Sequence, residues 1–405
     1  MKTKDNNLAL HGGKPVSKTL IPYHRPSLGE KEALAAAAVI RSQMVAGPGK
    51  FCRSVENKIE QDWQVPRALT TTSCTHALEL ALLGCDLKSS DEIIVPSFTY
   101  VSSALAIIRA GATPVFADID PETLMLSPET IEARRTENCR GIVFVHYGGF
   151  CGPMQEIIDY CRQKNIFCIE DAAQCFSSTH RQKEAGTFGR FGAFSFHGTK
   201  SISCGEGGLL LINNPADIKK CELIRDKGTD RSRSCRGDVD RYTWRETGSS
   251  YVLSDILGAV LEKQLERWEK IKEKRLLVQD KIRRTVAKID HKNCFKAIKP
   301  PADTTETGHI TAFLLPDGRQ RDWLLSALQA EGVQAREHYH PLHLSPYARQ
   351  HLDPPRSLPV SEKIGNSLIR LPAYPSLTEK QIKQIGQALE KVYPLYLKKQ
   401  LKAES

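Results

Sequence analysis

Four short apolar runs constrain this chain more than any other feature: "EIIVP" (Glu92–Pro96), "TPVFAD" (Thr113–Asp118), "GIVFVH" (Gly141–His146) and "IFCIED" (Ile166–Asp171). Runs of this length without polar alternation read as strands buried on both faces. Segments able to form helices separate the last three, and "KEALAAAAVIRSQ" (Lys31–Gln43) and "THALELALLGC" (Thr75–Cys85) carry helical periodicity. Strand, helix and strand in succession predict an α/β fold with a mostly parallel sheet covered on both sides.

Beyond Leu253 the texture changes. The segment Ser254–Arg284 is rich in charge and in apolar residues three or four apart, and reads as one long helix. A Pro-containing stretch (Lys296–Gly308), a strand (His309–Leu315), a helix (Asp322–Gly332) and a final helix (Thr378–Tyr393) follow. These predict a large domain over residues 1–269, carrying the N-terminal segment, and a smaller C-terminal α+β domain over residues 270–405.

The chain has 405 residues, with no apolar run approaching the ~20 residues of a membrane span and no secretory signal pattern at its start. A cytoplasmic location is expected. Its twelve cysteines include no Cys-x-x-Cys pair, so no zinc knuckle, other metal site or redox motif is expected. The net charge of +10 admits nucleic acid, a membrane surface or an anionic metabolite. No nucleic-acid recognition motif accompanies it, and the basic stretch Lys219–Arg245 is interleaved with acids. Its part Arg225–Arg245 suits a loop that binds one phosphorylated ligand, and neither nucleic acid nor a membrane is expected as partner.

Chemistry in an open parallel sheet collects at the carboxyl ends of its strands. Asp171 ends one run, His146 ends another, and Ser97–Tyr100 follow a third. The stretch "FSFHGTKSISCGEGG" (Phe194–Gly208) then places Lys200 between a strand pattern and a run of glycines that suits close backbone approach. A lysine in such a place is either a solvated charge or a Schiff-base amine tuned by its surroundings. Pyridoxal phosphate asks for such a lysine, a carboxylate for its ring nitrogen, an aromatic ring against one face and donors for its phosphate. Lys200, Asp171, Tyr100 and the helix start at "TTSCT" (Thr71–Thr75) supply that set.

The motifs "PSFTYVSSALAIIRAGATPVFADID" (Pro96–Asp120), "EDAAQ" (Glu170–Gln174), "FGAFSFHGTK" (Phe191–Lys200), "GEGG" (Gly205–Gly208) and "HYHPLH" (His338–His343) stand in one order along the chain. In that order they resemble the DegT/DnrJ/EryC1/StrS sugar aminotransferases. Within the family, Arg225–Asp255 most resembles the members that form dTDP-4-amino-4,6-dideoxygalactose. The resemblance implies the pyridoxal phosphate-dependent transferase fold of type I, a homodimer with active sites at the subunit interface, glutamate as amino donor and a nucleotide-linked 4-keto-6-deoxyhexose as acceptor.

By the same resemblance Lys200 is the covalent lysine and Asp171 the partner of the ring nitrogen. Gln174 lies near the ring hydroxyl, with Tyr100 and Ala173 on the two ring faces. Ser195 and the amides of Cys74 and Thr75 bind phosphate, and Ser250 reaches it from the partner subunit. Many members have Gly-Thr where this chain has Cys74-Thr75, and Asn where it has Ser250. Relatives that dehydrate the sugar can carry histidine at the position of Lys200, so lysine there implies transamination. Lys227, Arg231 and Arg236 are candidates for the substrate diphosphate or solvated loop charges. His338 and Tyr339 are candidates for substrate contact or for the domain junction. A non-catalytic protein that retains the fold stays open at this point.

Overall fold

The structure, a computed structural model, describes residues 7–316, 318–352 and 357–404. Its centre is a seven-stranded sheet. The strands are β1 (Arg67–Thr71), β2 (Glu92–Pro96), β3 (Thr113–Ala117), β4 (Cys139–Val145), β5 (Phe167–Asp171), β6 (Phe191–Ser195) and β7 (Gly208–Ile212). They lie in the order β1-β7-β6-β5-β4-β2-β3. Neighbours from β6 to β3 pair parallel, and β7 runs antiparallel to both β6 and β1. The mostly parallel, mixed sheet is therefore the expected one.

Alternation along the strands builds two cores. Leu209 and Leu211 of β7 join a cluster with Ile94, Phe144 and Phe194, whereas Leu210 and Ile212 join one with Ile93, Val143 and Ile169 on the other face. The helix Cys74–Leu83 covers the second face, and the helices Lys50–Trp63 and Asp255–Glu266 pack on the first.

The long helix expected over Ser254–Arg284 is two, Asp255–Glu266 and Trp268–Ile289. Arg267 leaves the helical path at φ −107° and ψ 2°, and its guanidinium reaches Glu32 at 2.6 Å. Helical periodicity runs unbroken across this bend because both halves bury the same kind of face.

A four-stranded antiparallel sheet formed by Lys296–Ala297, Thr311–Leu314, Arg336–Glu337 and Leu368–Leu371 organises the C-terminal half. Its core takes in Ile282, Phe313, Leu328 and Leu389, together with Leu8 and Ile21 from the N-terminal segment. That segment, grouped above with the first 269 residues, is fastened here: Ile21 N donates to Gly332 O (2.9 Å) and Gln334 N to Ile21 O (3.0 Å). Among the described residues no helix is long and apolar enough to cross a membrane, and all twelve cysteines are free.

Candidate active site

Parallel strands bring their carboxyl ends to one edge, and there residues 73–75, 97–103, 171–174 and 195–200 meet. They line a cleft of about 660 Å³, whose far wall comes from Arg336, His338, Tyr339 and Arg370 of the C-terminal half. Lys200, Asp171, Gln174, Ala173, Ser195, Tyr100, Cys74, Thr75, His338 and Tyr339 all line it.

Lys200 sits in a loop that hydrogen bonds close at its base. Phe196 N donates to Gly207 O (2.8 Å), Cys204 N to Phe196 O (3.0 Å), and Gly205 turns the chain at φ +95°. The lysine is partly open to the cleft, yet burial among protein atoms lowers its pKa. The negative charge of Asp171 raises it, and Arg370 lowers it further. Asp171 is 5% exposed, and both its oxygens are engaged: Oδ2 accepts from Ser103 Oγ (2.7 Å) and Oδ1 from Ala173 N (3.2 Å).

Ser73 caps the helix Cys74–Leu83, accepting from His76 N at 3.2 Å, and the start of this helix faces the cleft. Strand β7 abuts it through Gly208, where a Cβ would lie 2.3 Å from Ser73 C and 2.6 Å from Cys74 N. Ser195 Oγ accepts from His197 N at 3.4 Å, a bond that does not use its own proton. Gln174 Oε1 accepts from Gly148 N (3.0 Å) while its Nε2 donates to Tyr339 OH (2.8 Å). Tyr339 stacks on His338 with ring centres 3.9 Å apart, and His338 Nδ1 meets Tyr147 OH at 3.2 Å. Tyr100, 60% exposed, stands at the rim 6.5 Å from the Tyr339 ring.

These residues fit pyridoxal phosphate. A helix start and a hydroxyl suit its phosphate, a doubly held carboxylate its ring nitrogen, and an amine of lowered pKa its aldehyde.

Four residues expected at the site lie outside the cleft within one chain. Arg231 and Arg236 line a separate groove with Arg53, Arg67 and Arg225. There Arg236 forms a two-pronged pair with the buried Glu222, at 2.8 Å on each arm. Arg231 and Lys227 approach Asp226 at 3.8 and 3.3 Å. Ser250 bridges back to Asp226 as an isolated antiparallel pair. His146 also turns away from the cleft: it is wholly buried, with Nε2 3.0 Å from Glu170 Oε2 and Nδ1 accepting from Gly152 N.

The cleft also holds residues that the sequence did not single out. Arg370 donates from Nη1 to Tyr23 OH (2.8 Å) and lies over the Tyr23 ring at 4.5 Å, while its buried Nε has no partner among the described residues. A lone arginine inside the apolar strand Leu368–Leu371 was the available signal. His24, beside Tyr23, is held down to about 4 by burial, then by Arg275. His309 Nδ1 meets Ser201 Oγ at 3.2 Å, one residue past Lys200, and burial holds its pKa well below the usual histidine range.

The sequence pattern of the DegT/DnrJ/EryC1/StrS aminotransferase family matches residues 26–390. A GDP-perosamine synthase of Escherichia coli O157:H7 is 31% identical, covering 92% of this chain and 98% of the relative. Another GDP-perosamine synthase, of Caulobacter vibrioides, is 32% identical over 86% of this chain and 91% of its own. Among solved structures, an aminotransferase from Psychrobacter cryohalolentis superposes with a TM-score of 0.86 at 27% identity, covering 93% of this chain and 100% of that one. The chain belongs to the DegT/DnrJ/EryC1/StrS aminotransferase family and is a pyridoxal phosphate-dependent sugar nucleotide aminotransferase.

Proposed function

We propose that the protein transfers the amino group of glutamate to a dTDP-linked 4-keto-6-deoxyhexose, giving dTDP-4-amino-4,6-dideoxygalactose and 2-oxoglutarate for bacterial surface polysaccharide. The observation that carries the transamination is the meeting of Lys200 and Asp171 in one cleft that also holds an open helix start. Pyridoxal phosphate, when bound, supplies an aldehyde that condenses with amines and a protonated ring that draws electrons from the substrate carbon.

The chain's own residues do the rest. Asp171 would hold the ring proton, and Ser195 with the amides of Cys74 and Thr75 would anchor the phosphate. With the cofactor bound, Gln174 would lie beside its ring hydroxyl, and Tyr100 and Ala173 would bound its two faces. Lys200 Nζ, favoured as a neutral amine by its lowered pKa, takes the proton from the donor Cα and later returns one to the sugar carbon. Arg336 and Arg370 give the cleft the positive charge that a dicarboxylate donor needs. His338 and Tyr339 face the sugar from the far wall.

The acting form is a homodimer in the cytoplasm. Met44, Tyr100, Val101 and Trp244 are exposed apolar surface in one chain, at 76%, 60%, 48% and 78%. In the dimer Ser250, Lys227, Arg231 and Arg236 serve the partner's cleft, the first at phosphate and the others at the substrate diphosphate.

The nucleotide and the amine's configuration are what experiment must decide. The relatives named GDP-perosamine synthase favour a second reading, a GDP-linked acceptor. Incubation with pyridoxal phosphate, glutamate and either a dTDP- or a GDP-linked 4-keto-6-deoxyhexose, with the product identified by mass and by NMR, separates them. Turnover of the dTDP sugar to the galacto product supports the proposal. Turnover of the GDP sugar alone, or the C4 epimer or a 3-amino sugar as product, replaces it.

A further inference from the structure

The helix Ser102–Arg109 opens with two serines that point to different ends of the cofactor site. Ser102 Oγ lies 2.8 Å from Thr75 Oγ1, at the helix start that faces the phosphate position. Ser103, wholly buried, donates to Asp171 Oδ2 at 2.7 Å. A hydroxyl has one proton, and this bond uses that of Ser103. Its contact with Thr99 Oγ1 at 3.0 Å therefore has Thr99 as donor. Thr99 is itself 2% exposed, so the relay Thr99 to Ser103 to Asp171 is sealed from water on its inner side.

Asp171 is thus fixed from two directions, by Ala173 N on one oxygen and by Ser103 on the other. A hydrogen bond to a charged acceptor in a dry site is stronger than one between neutral groups, and it sets the carboxylate's rotamer. The neighbouring serine ties the same backbone turn to the phosphate helix. One rigid turn thereby fixes the spacing between the two anchors of a ligand that must touch both.

We propose that Ser103 is a positioning residue: it aims Asp171 at the cofactor's ring nitrogen, while Ser102 sets the distance from Asp171 to the phosphate cradle. The proposal rests on the pyridoxal phosphate reading of the cleft.

The test is the affinity of the cofactor-free enzyme for pyridoxal phosphate, followed by visible absorbance in the wild type, Ser103→Ala, Ser103→Thr, Asp171→Asn and the Ser103→Ala/Asp171→Asn double variant. Ser103→Ala weakens binding about 10-fold, the size of one charge-assisted hydrogen bond, and Ser103→Thr restores it to within about twofold. In the Asp171→Asn background Ser103→Ala adds less than about twofold, because its effect travels through the carboxylate. Equal losses in both backgrounds, or no loss in the first, overturn the proposal. Should Ser103→Ala melt far below the wild type without cofactor, Ser103→Cys carries the same comparison, since it fills the site and replaces the hydroxyl by a much weaker donor to Asp171. A wild type that takes up no cofactor contradicts the reading of the cleft itself, a separate failure.

Discussion

Gln174 and Tyr339, 165 residues apart, share a 2.8 Å hydrogen bond that joins the end of β5 to the C-terminal wall of the cleft. Tyr339→Phe leaves Gln174 Nε2 without its partner in a nearly dry site. An unsatisfied buried donor costs about 1–3 kcal/mol. The expected result is a melting point several degrees lower, with Gln174→Leu in the same background lowering it further, because Gly148 N then loses its acceptor too. Calorimetry of the three proteins checks it.

Asp171→Asn removes the charge and leaves one acceptor oxygen, for Ala173 N, while its NH2 faces Ser103 Oγ, which turns from donor to acceptor. The half-reaction with glutamate should slow at least about 100-fold, which corresponds to ~2.7 kcal/mol of barrier. The melting point of the cofactor-free protein should move little. Stopped-flow absorbance and a thermal melt together separate loss of chemistry from loss of fold.

His24 gives the fold an acid sensitivity. Its pKa is lowered from 6.5 to about 4 by burial, with Arg275 next. Between these values the unfolded chain binds more protons than the folded one, so stability rises with pH through that window and is lost on acidification from pH 6.5 towards 4. Cofactor-free His24→Gln should therefore lose less stability than the wild type over that range, and the two should run parallel above pH 7. Urea titrations at a series of pH values measure the difference.

Arg231 and Arg236 should part company. Arg236 is paired with buried Glu222 on both arms, while Arg231 stands 40% exposed and 3.8 Å from Asp226. Arg236→Ala should cost about 1 kcal/mol of stability by releasing Glu222, besides raising the KM of the sugar nucleotide. Arg231→Ala should leave stability unchanged and raise the KM of the sugar nucleotide several-fold, with the KM of glutamate unaltered. Steady-state kinetics with each substrate varied in turn tests both.

The sequence made the parallel strands legible because each is a continuous apolar run: Glu92–Pro96 is found as read, and β5 ends on Asp171 as expected. Strands β1 and β7 were not read. "RALTT" is half polar and becomes a strand by pairing with β7, and "GLLLI" follows so closely on the glycines of the lysine loop that it carries no boundary of its own. The residues of the catalytic edge were legible for the same reason as the strands that carry them. Tyr23, His24 and Arg370 were not, because they reach the cleft from the N-terminal segment and the second sheet, and only tertiary packing brings them there. Ser102 and Ser103 looked like ordinary residues at a helix start. Their partners, Thr75 and Asp171, lie 27 and 68 residues away, a relation no local pattern encodes. The pairing of Glu222 and Asp226 with Arg236, Arg231 and Lys227 was not read from the acids interleaved through Lys219–Arg245.

The central claim is that Lys200 holds the cofactor and then moves the proton. The most direct measurement is the visible absorbance of the purified protein with added pyridoxal phosphate, before and after glutamate, in the wild type and in Lys200→Ala. The account predicts a visible band in the wild type that glutamate bleaches with release of 2-oxoglutarate, and no such conversion in Lys200→Ala. A wild type that shows no band with added cofactor, or a Lys200→Ala protein that turns glutamate over at the wild-type rate, would contradict it.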